Sequence, residues 1–264
     1  MSLLVIKLGG SIITYKNNPK PRLRKSNIKY LAMEISEIYK KGHKIILVHG
    51  SGSGHHFVKK YNLHKPDKSR NRNLEISLID QKTLELSSFL INTLLENRVP
   101  AIYFPPHTMT IQSEGNLVDF NTQEIELALN QNLFPVLPGE MVLDDNWGSS
   151  VLSGDITTCF LAKKLNADKV IFLTDVDGVF DSNPKKNKRA KIISFINNNN
   201  ISFVMKNLTT HNGNDVSGEM RGKLLAIQKY LRGKKVILTS GLKQNNLIKA
   251  LGQSPNGTMI HLDI

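Results

Sequence analysis

The chain has 264 residues, 40% hydrophobic and 22% charged, which is enough to bury a core without staples and too apolar for a disordered tail. No apolar run approaches the ~20 residues that cross a bilayer, and a single cysteine, Cys159, excludes an internal disulfide framework and fits a reducing, cytoplasmic compartment. Lys and Arg total 35 against 22 Asp and Glu, a net charge of +13; without RNP-like runs, zinc-finger spacing or heptads, this reads first as a solvated basic surface and second as attraction of a polyanionic substrate, with no nucleic-acid or membrane partner expected.

The start, MSLLVIKLGG, lacks a basic n-region, so Leu3–Leu8 reads as a first strand ending in Gly9-Gly10 rather than as a signal peptide. Ser26 is placed to cap a helix that carries Ile28, Leu31, Ile35 and Ile38 on one face and stops at Gly42. Lys44–Val48 is the second strand and runs into the glycine-rich Gly50–Gly54. A long helical pattern covers Asn73–Asn97, and strand Ala101–Phe104 ends at Pro105-Pro106. A short helix after Asn121 or Thr122 leads to strand Phe134–Leu137, then to a hairpin over Glu140–Val151 that turns near Asp144–Gly148. Asp155 opens a helix to Leu165, and strand Lys169–Thr174 ends in Asp175-Val176-Asp177-Gly178. The polar, basic stretch 181–200 reads as exposed loop. The chain closes with helix Gly218–Leu231, strand Lys235–Thr239, helix Asn246–Leu251 and an edge strand Thr258–Leu262. Strands alternating with helices predict an α/β fold with a mainly parallel sheet. A soft boundary falls near Leu152–Asp155.

Several turns in this pattern suit anion binding. Paired glycines after Lys7 present N–H groups to oxygens beside a positive charge, although a plain structural turn has the same look. Val48-His49-Gly50-Ser51-Gly52-Ser53-Gly54-His55-His56 is a second strand-to-helix turn, where free N–H groups and the helix dipole favour anions. Neither turn has the dinucleotide or Walker spacing. His49, His55 and His56 with Cys159 lack zinc-site spacing, so no metal site is expected. Asp155 after Ser153-Gly154, and Asp175 with Asp177 and Gly178, lie where open α/β sheets bind ligands; Asp177 is equally good as a turn former. Lys223, in the segment Asp215–Lys223, falls in the first turns of a helix, where a lone lysine is usually surface decoration.

In this order, the segments KLGGSIITYK, GHHFVKKY, SGD, TDVDGV and DVSGEMRGK resemble the amino acid kinase superfamily over essentially the whole chain, and within it the isopentenyl phosphate kinases. The discriminating residue is His55 of the Gly54-His55 pair. The resemblance implies a single three-layer α/β/α sandwich over 1–264 with an open, mainly parallel sheet. Residues 1–152 would form the acceptor half and carry a homodimer surface, and 153–264 the nucleotide half. It also implies transfer of the ATP γ-phosphoryl group to isopentenyl phosphate, with Mg²⁺ carried mainly on the nucleotide phosphates. Lys7, Lys16, His55, Asp155 and Lys223 would be the catalytic set, with Asp155 orienting the lysines. Lys7, Gly9, Gly10, Ser11, Asp175, Asp177, Gly178, Gly218 and Lys223 would hold ATP. Gly50, Ser51, Gly52, Gly54, His55, Lys60 and Gly154 would hold the acceptor, whose alkyl tail is expected against helix 73–95 and segment 104–125. The chain departs from the family pattern at Ser51, which replaces a glycine in a loop one residue shorter than usual, and at Glu140, where aspartate is commoner. The second reading is a kinase of another small phosphate or phosphonate such as fosfomycin; the third is a non-catalytic binding protein of the same fold.

Overall fold

Strand β1 (Leu3–Leu8) lies inside an eight-stranded sheet, and its side chains alternate between two cores. Val5 joins the core on one face, with Val48, Val170 and Phe172; Leu4, Ile6 and Leu8 join the other, with Leu47, Ile171 and Leu173. A strand buried on both faces loses the apolar/polar alternation of a half-exposed one, which explains the continuous run LLVIKL. The computed structural model describes residues 2–15, 22–52, 57, 58, 60–63, 72–182, 184, 187–209, 217–252 and 255–264.

The other strands of this sheet are β2 (Lys44–His49), β3 (Ala101–Tyr103), β6 (Phe134–Pro138), β9 (Lys169–Thr174), β10 (Phe195–Ile196), β11 (Lys235–Ser240) and β12 (Thr258–His261). Their order is β10-β12-β11-β9-β1-β2-β6-β3. The paired strands are parallel except where β12 runs antiparallel to β11. Helices cover both faces, giving the expected three layers. From β1 the chain moves outward to β2 and later returns to β9 on the other flank. The carboxyl ends of β1, β2 and β9 therefore border a topological switch point, the usual ligand crevice of such sheets.

Four differences from the sequence reading have local causes. The helix expected to start at Ser26 spans Lys25–Lys40 with Arg24 at its N-cap position, so Ser26 lies inside the first turn and caps nothing. Strand β12 is not the edge: Phe195 and Ile196 pair outside it, and two residues are too few to show a period. Helix Ile201–Thr209 follows the asparagine run and buries Ile201 and Val204. The segment after Pro106 forms a hairpin, β4 (Thr110–Ser113) and β5 (Asn116–Phe120), which joins β7 (Glu140–Asp144) and β8 (Gly148–Leu152) in a second sheet of order β5-β4-β7-β8. Its turn, Glu114-Gly115, is held from the neighbouring hairpin: the Asp144 carboxylate accepts from the N–H groups of Glu114 at 3.1 Å and Gly115 at 2.8 Å. These and further donors from Ser150, Trp147 and Asn146 outweigh burial and hold the Asp144 carboxyl down at about 2.

Candidate active site

A cavity of about 370 Å³ opens at the switch point, lined by Lys7, Gly9, Gly10 and Ser11 after β1, by Gly50–Gly52 after β2, and by Thr174–Val176 after β9. The remaining wall comes from Gly139, from Val151–Ile156 and from Met220, Gly222 and Lys223. The strand ends are stitched together. Gly50 N–H donates to Leu8 O at 2.9 Å, Gly9 N–H to Leu173 O at 2.8 Å and Gly139 N–H to His49 O at 2.7 Å. The two glycine loops touch: a Cβ on Gly50 would lie 2.9 Å from the backbone nitrogen of Gly10. Only glycine permits that approach, and it leaves both loops facing one space.

Three side chains from distant parts of the chain meet in the cavity. Lys7 from β1 and Lys223 from helix Ser217–Tyr230 both donate to Oδ1 of Asp155, at 2.9 and 2.7 Å. Asp155 stands in the first turn of helix Gly154–Lys164, whose N-cap Ser153 accepts from Ile156 N–H at 3.2 Å. Burial pushes the Asp155 carboxyl up, but the Lys223 and Lys7 ammonium groups win and hold it well below the usual carboxylate range. Burial lowers Lys223 to about 8 against the pull of Asp155, with Lys7 adding to the lowering. The Lys223 ammonium also lies 4.6 Å from the centre of the Phe172 ring, a cation–π contact. The result is two cations aimed at one point and positioned by a carboxylate, at the N-terminal end of a helix. This can neutralise a multiply charged anion and hold it in line for transfer.

Behind the second glycine loop, His49 is fully buried. Its Nδ1 lies 3.0 Å from Gly50 O and its Nε2 3.0 Å from Ser87 Oγ. Burial lowers its pKa to about 4, so the ring is neutral near pH 7. A neutral ring protonated on Nδ1 donates to Gly50 O, while the Ser87 hydroxyl beside Nε2 donates to Thr83 O at 2.9 Å. This fixes the Gly50 peptide from behind. Val151 lines the cavity and also packs against an apolar cluster of Val58, Leu63, Ile79 and Met141.

A profile of the amino acid kinase family matches residues 2–240. The chain belongs to the amino acid kinase family. It is 36% identical to an isopentenyl phosphate kinase of Methanocaldococcus jannaschii, over 98% of each chain. It is 28% identical to one of Methanothermobacter thermautotrophicus, again over 98% of each chain. A crystal structure of an isopentenyl phosphate kinase superposes with a TM-score of 0.85 at 26% identity, covering 98% of this chain and 99% of that one.

In this member of the family, Lys7, Gly9, Gly10, Ser11, Gly50, Ser51, Gly52, Gly154, Asp155, Asp175 and Lys223 line one cavity. Two expected ATP ligands stand away from that lining. Asp177 pairs with Lys243 at 2.8 Å. Gly178 is buried where a Cβ would lie 2.6 Å from Thr258 Oγ1 and 2.8 Å from Ile192 Cδ1, so its glycine is required by close packing. Lys60 is exposed with its ammonium 5.2 Å from the Tyr61 ring centre, also off the lining. Gly218 lies in the first turn of helix Ser217–Tyr230. Lys16, Gly54 and His55 lie outside the described residues. The apolar cluster beside the cavity draws on the helix Asn73–Glu96 through Ile79. Its other members come from 57–63 and β7, and none from 104–125; Phe104 packs into the larger core instead. Thr174, Met220 and His49 lie inside the segments TDVDGV, DVSGEMRGK and 48–56, but none is assigned to the ligand set from the sequence, because a threonine at a strand end, a methionine in a helix and a buried histidine are all ordinary.

Proposed function

We propose that the chain transfers the γ-phosphoryl group of ATP to isopentenyl phosphate, forming isopentenyl diphosphate and ADP. The observation that carries this reading is the convergence of Lys7 and Lys223 on one oxygen of Asp155, between two glycine loops that expose backbone to the same cavity. A phosphate oxygen of the acceptor attacks the γ-phosphorus as the bond to ADP breaks. The two ammonium groups balance charge on the moving group. A phosphate monoester has its second pKa near ~6, so the attacking oxygen is already ionised at neutral pH and needs no general base. Lys16 would be a third cation on the moving group, and His55 would donate to the acceptor phosphate beside the loop Gly50–Gly52; both assignments rest on the sequence segments that contain them. The cluster reached through Val151 supplies apolar surface for a short alkyl tail. Mg²⁺ would ride on the nucleotide phosphates, because the Asp155 carboxylate is already engaged by both lysines. Residues 1–152 would serve the acceptor and a homodimer contact, and 153–264 the nucleotide. Among the described residues no helix is long and apolar enough to cross a membrane.

The test is an ATP/Mg²⁺ coupled assay over isopentenyl phosphate, dimethylallyl phosphate, longer prenyl phosphates and fosfomycin. Highest kcat/KM with a five-carbon alkyl phosphate is expected. Preference for fosfomycin, or no ADP release with any alkyl phosphate, would overturn the assignment.

A further inference from the structure

Outside the cavity, three side chains from separate elements form a compact donor set. Asp80 belongs to helix Asn73–Glu96, His107 to the 3₁₀ turn Pro106–Thr108 and Glu140 to the start of β7. His107 Nδ1 lies 3.1 Å from Glu140 Oε1 and 3.6 Å from Asp80 Oδ1. One donor atom from each residue lies within 4.8 Å of the other two. We propose that Asp80, His107 and Glu140 form a site for a first-row divalent cation of the Zn²⁺ type, bound through one imidazole nitrogen and two carboxylates.

Two independent observations carry this. The first is geometric. Ligands at ~2.0–2.1 Å in tetrahedral array stand about 3.3–3.4 Å from one another, and the distances of 3.1 and 3.6 Å bracket that value. The second is a deficit. The Glu140 side chain is wholly buried and its carboxylate points at His107, yet its second oxygen, Oε2, has no hydrogen-bond partner among the described residues. A buried carboxylate oxygen without a donor is costly, and a cation that Oε2 also reaches would remove the deficit. The first oxygen is supported from behind by the His107 backbone N–H, which donates to Oε1 at 2.7 Å, the kind of outer contact that orients a metal ligand.

The donor set is borderline-hard, one nitrogen and two oxygens, which suits Zn²⁺ or Co²⁺ better than a soft-thiolate metal. Asp80 and His107 each keep about a third of their side chain exposed, 35% and 38%, so an ion can enter and a water can complete four-coordination. The bound ion would tie helix Asn73–Glu96 to β7, where Met141 meets Ile79 in the apolar cluster beside the cavity. The proposal is independent of which acceptor the enzyme takes.

Equilibrium dialysis of the EDTA-treated full chain against Zn²⁺ tests it, with His107→Ala and Asp80→Asn beside the wild type. One tight equivalent is expected in the wild type, weakened at least about tenfold in each variant. In thermal unfolding, each protein is compared with itself in EDTA and with added Zn²⁺, and Zn²⁺ should raise the midpoint of the wild type alone. Co²⁺ in place of Zn²⁺ should give the intense visible absorption of a four-coordinate site in the wild type and lose it in His107→Ala. Equal Zn²⁺ binding by wild type and His107→Ala, or no tight equivalent in the wild type, would overturn the proposal.

Discussion

The Lys223 ammonium donates to Asp155 Oδ1 at 2.7 Å across a gap of 68 residues in sequence. Even with that partner, burial leaves the lysine at about 8. The charged form is therefore present below pH 8 and lost as pH rises through it. In the ligand-free enzyme this predicts a basic limb in kcat/KM near pH 8. In Lys223→Arg, whose guanidinium stays charged, the limb should vanish even if the plateau rate is lower. A pH series of both proteins with saturating Mg²⁺ checks this; an unchanged limb in Lys223→Arg would assign it to another group.

Asp155→Asn leaves two buried ammonium groups, Lys7 and Lys223, without their shared counter-charge. Removing one partner of a buried ion pair costs about 3–5 kcal/mol. The lower end is expected here because the Asp155 side chain keeps 16% exposure. Urea denaturation at pH 7 measures the loss. A stability within 1 kcal/mol of wild type would mean that the lysines find water or each other's backbone instead.

The choice between His55 and His56 rests on sequence register. Gly54-His55 keeps the family pair when the missing residue is placed before Gly54, and Val58-Lys59-Lys60-Tyr61 follows without another gap. A hydrogen bond to a charged group contributes about 1.5–3 kcal/mol. His55→Ala should thus lower kcat/KM for isopentenyl phosphate roughly tenfold to a few hundredfold, with partial recovery in His55→Gln and little change in His56→Ala. If His56→Ala is the impaired variant, the register is wrong by one residue.

Asp144 holds the Glu114-Gly115 turn and its own hairpin with one carboxylate. Asp144→Asn should cost about 2 kcal/mol at pH 7, since an amide replaces a charged acceptor. The Asp144 pKa is lower in the folded protein than in the unfolded chain, so its contribution is present above about pH 4 and lost as pH falls toward 2. Denaturation midpoints of the two proteins should converge over that window. A constant gap down to pH 2 would show that the carboxylate charge is not what the turn uses.

The frame of the fold was legible because its signals are local. Strands buried on both faces read as short apolar runs, and the helix Asn73–Glu96 and the hairpin of β7 and β8 fell within a residue or two of their expected ends. The β4–β5 hairpin was not legible, because Glu114-Gly115 is a weak turn signal completed by Asp144 from another hairpin. Strand β10 was not legible either: Phe195-Ile196 becomes a strand only because β12 offers it an edge.

The same division runs through the site. The sequence by itself determined which residues could bind phosphate: Lys7 with Gly9-Gly10, the loop from Gly50, Ser153-Gly154-Asp155, and Lys223 in the first turns of a helix. Each is a short motif whose chemistry is contained in a few neighbouring residues. Only the tertiary structure decided which of them act together. The parallel sheet brings the ends of β1, β2 and β9 to one crevice and turns Lys7 and Lys223 onto Asp155, while it leaves Asp177 on Lys243 and uses Gly178 for packing. It also gathers Asp80, His107 and Glu140, which share no motif. A periodicity or a turn propensity acts over a few residues, whereas a shared ion pair or a donor set is fixed by how distant strands pair and helices dock, and no spacing along the chain encodes that distance.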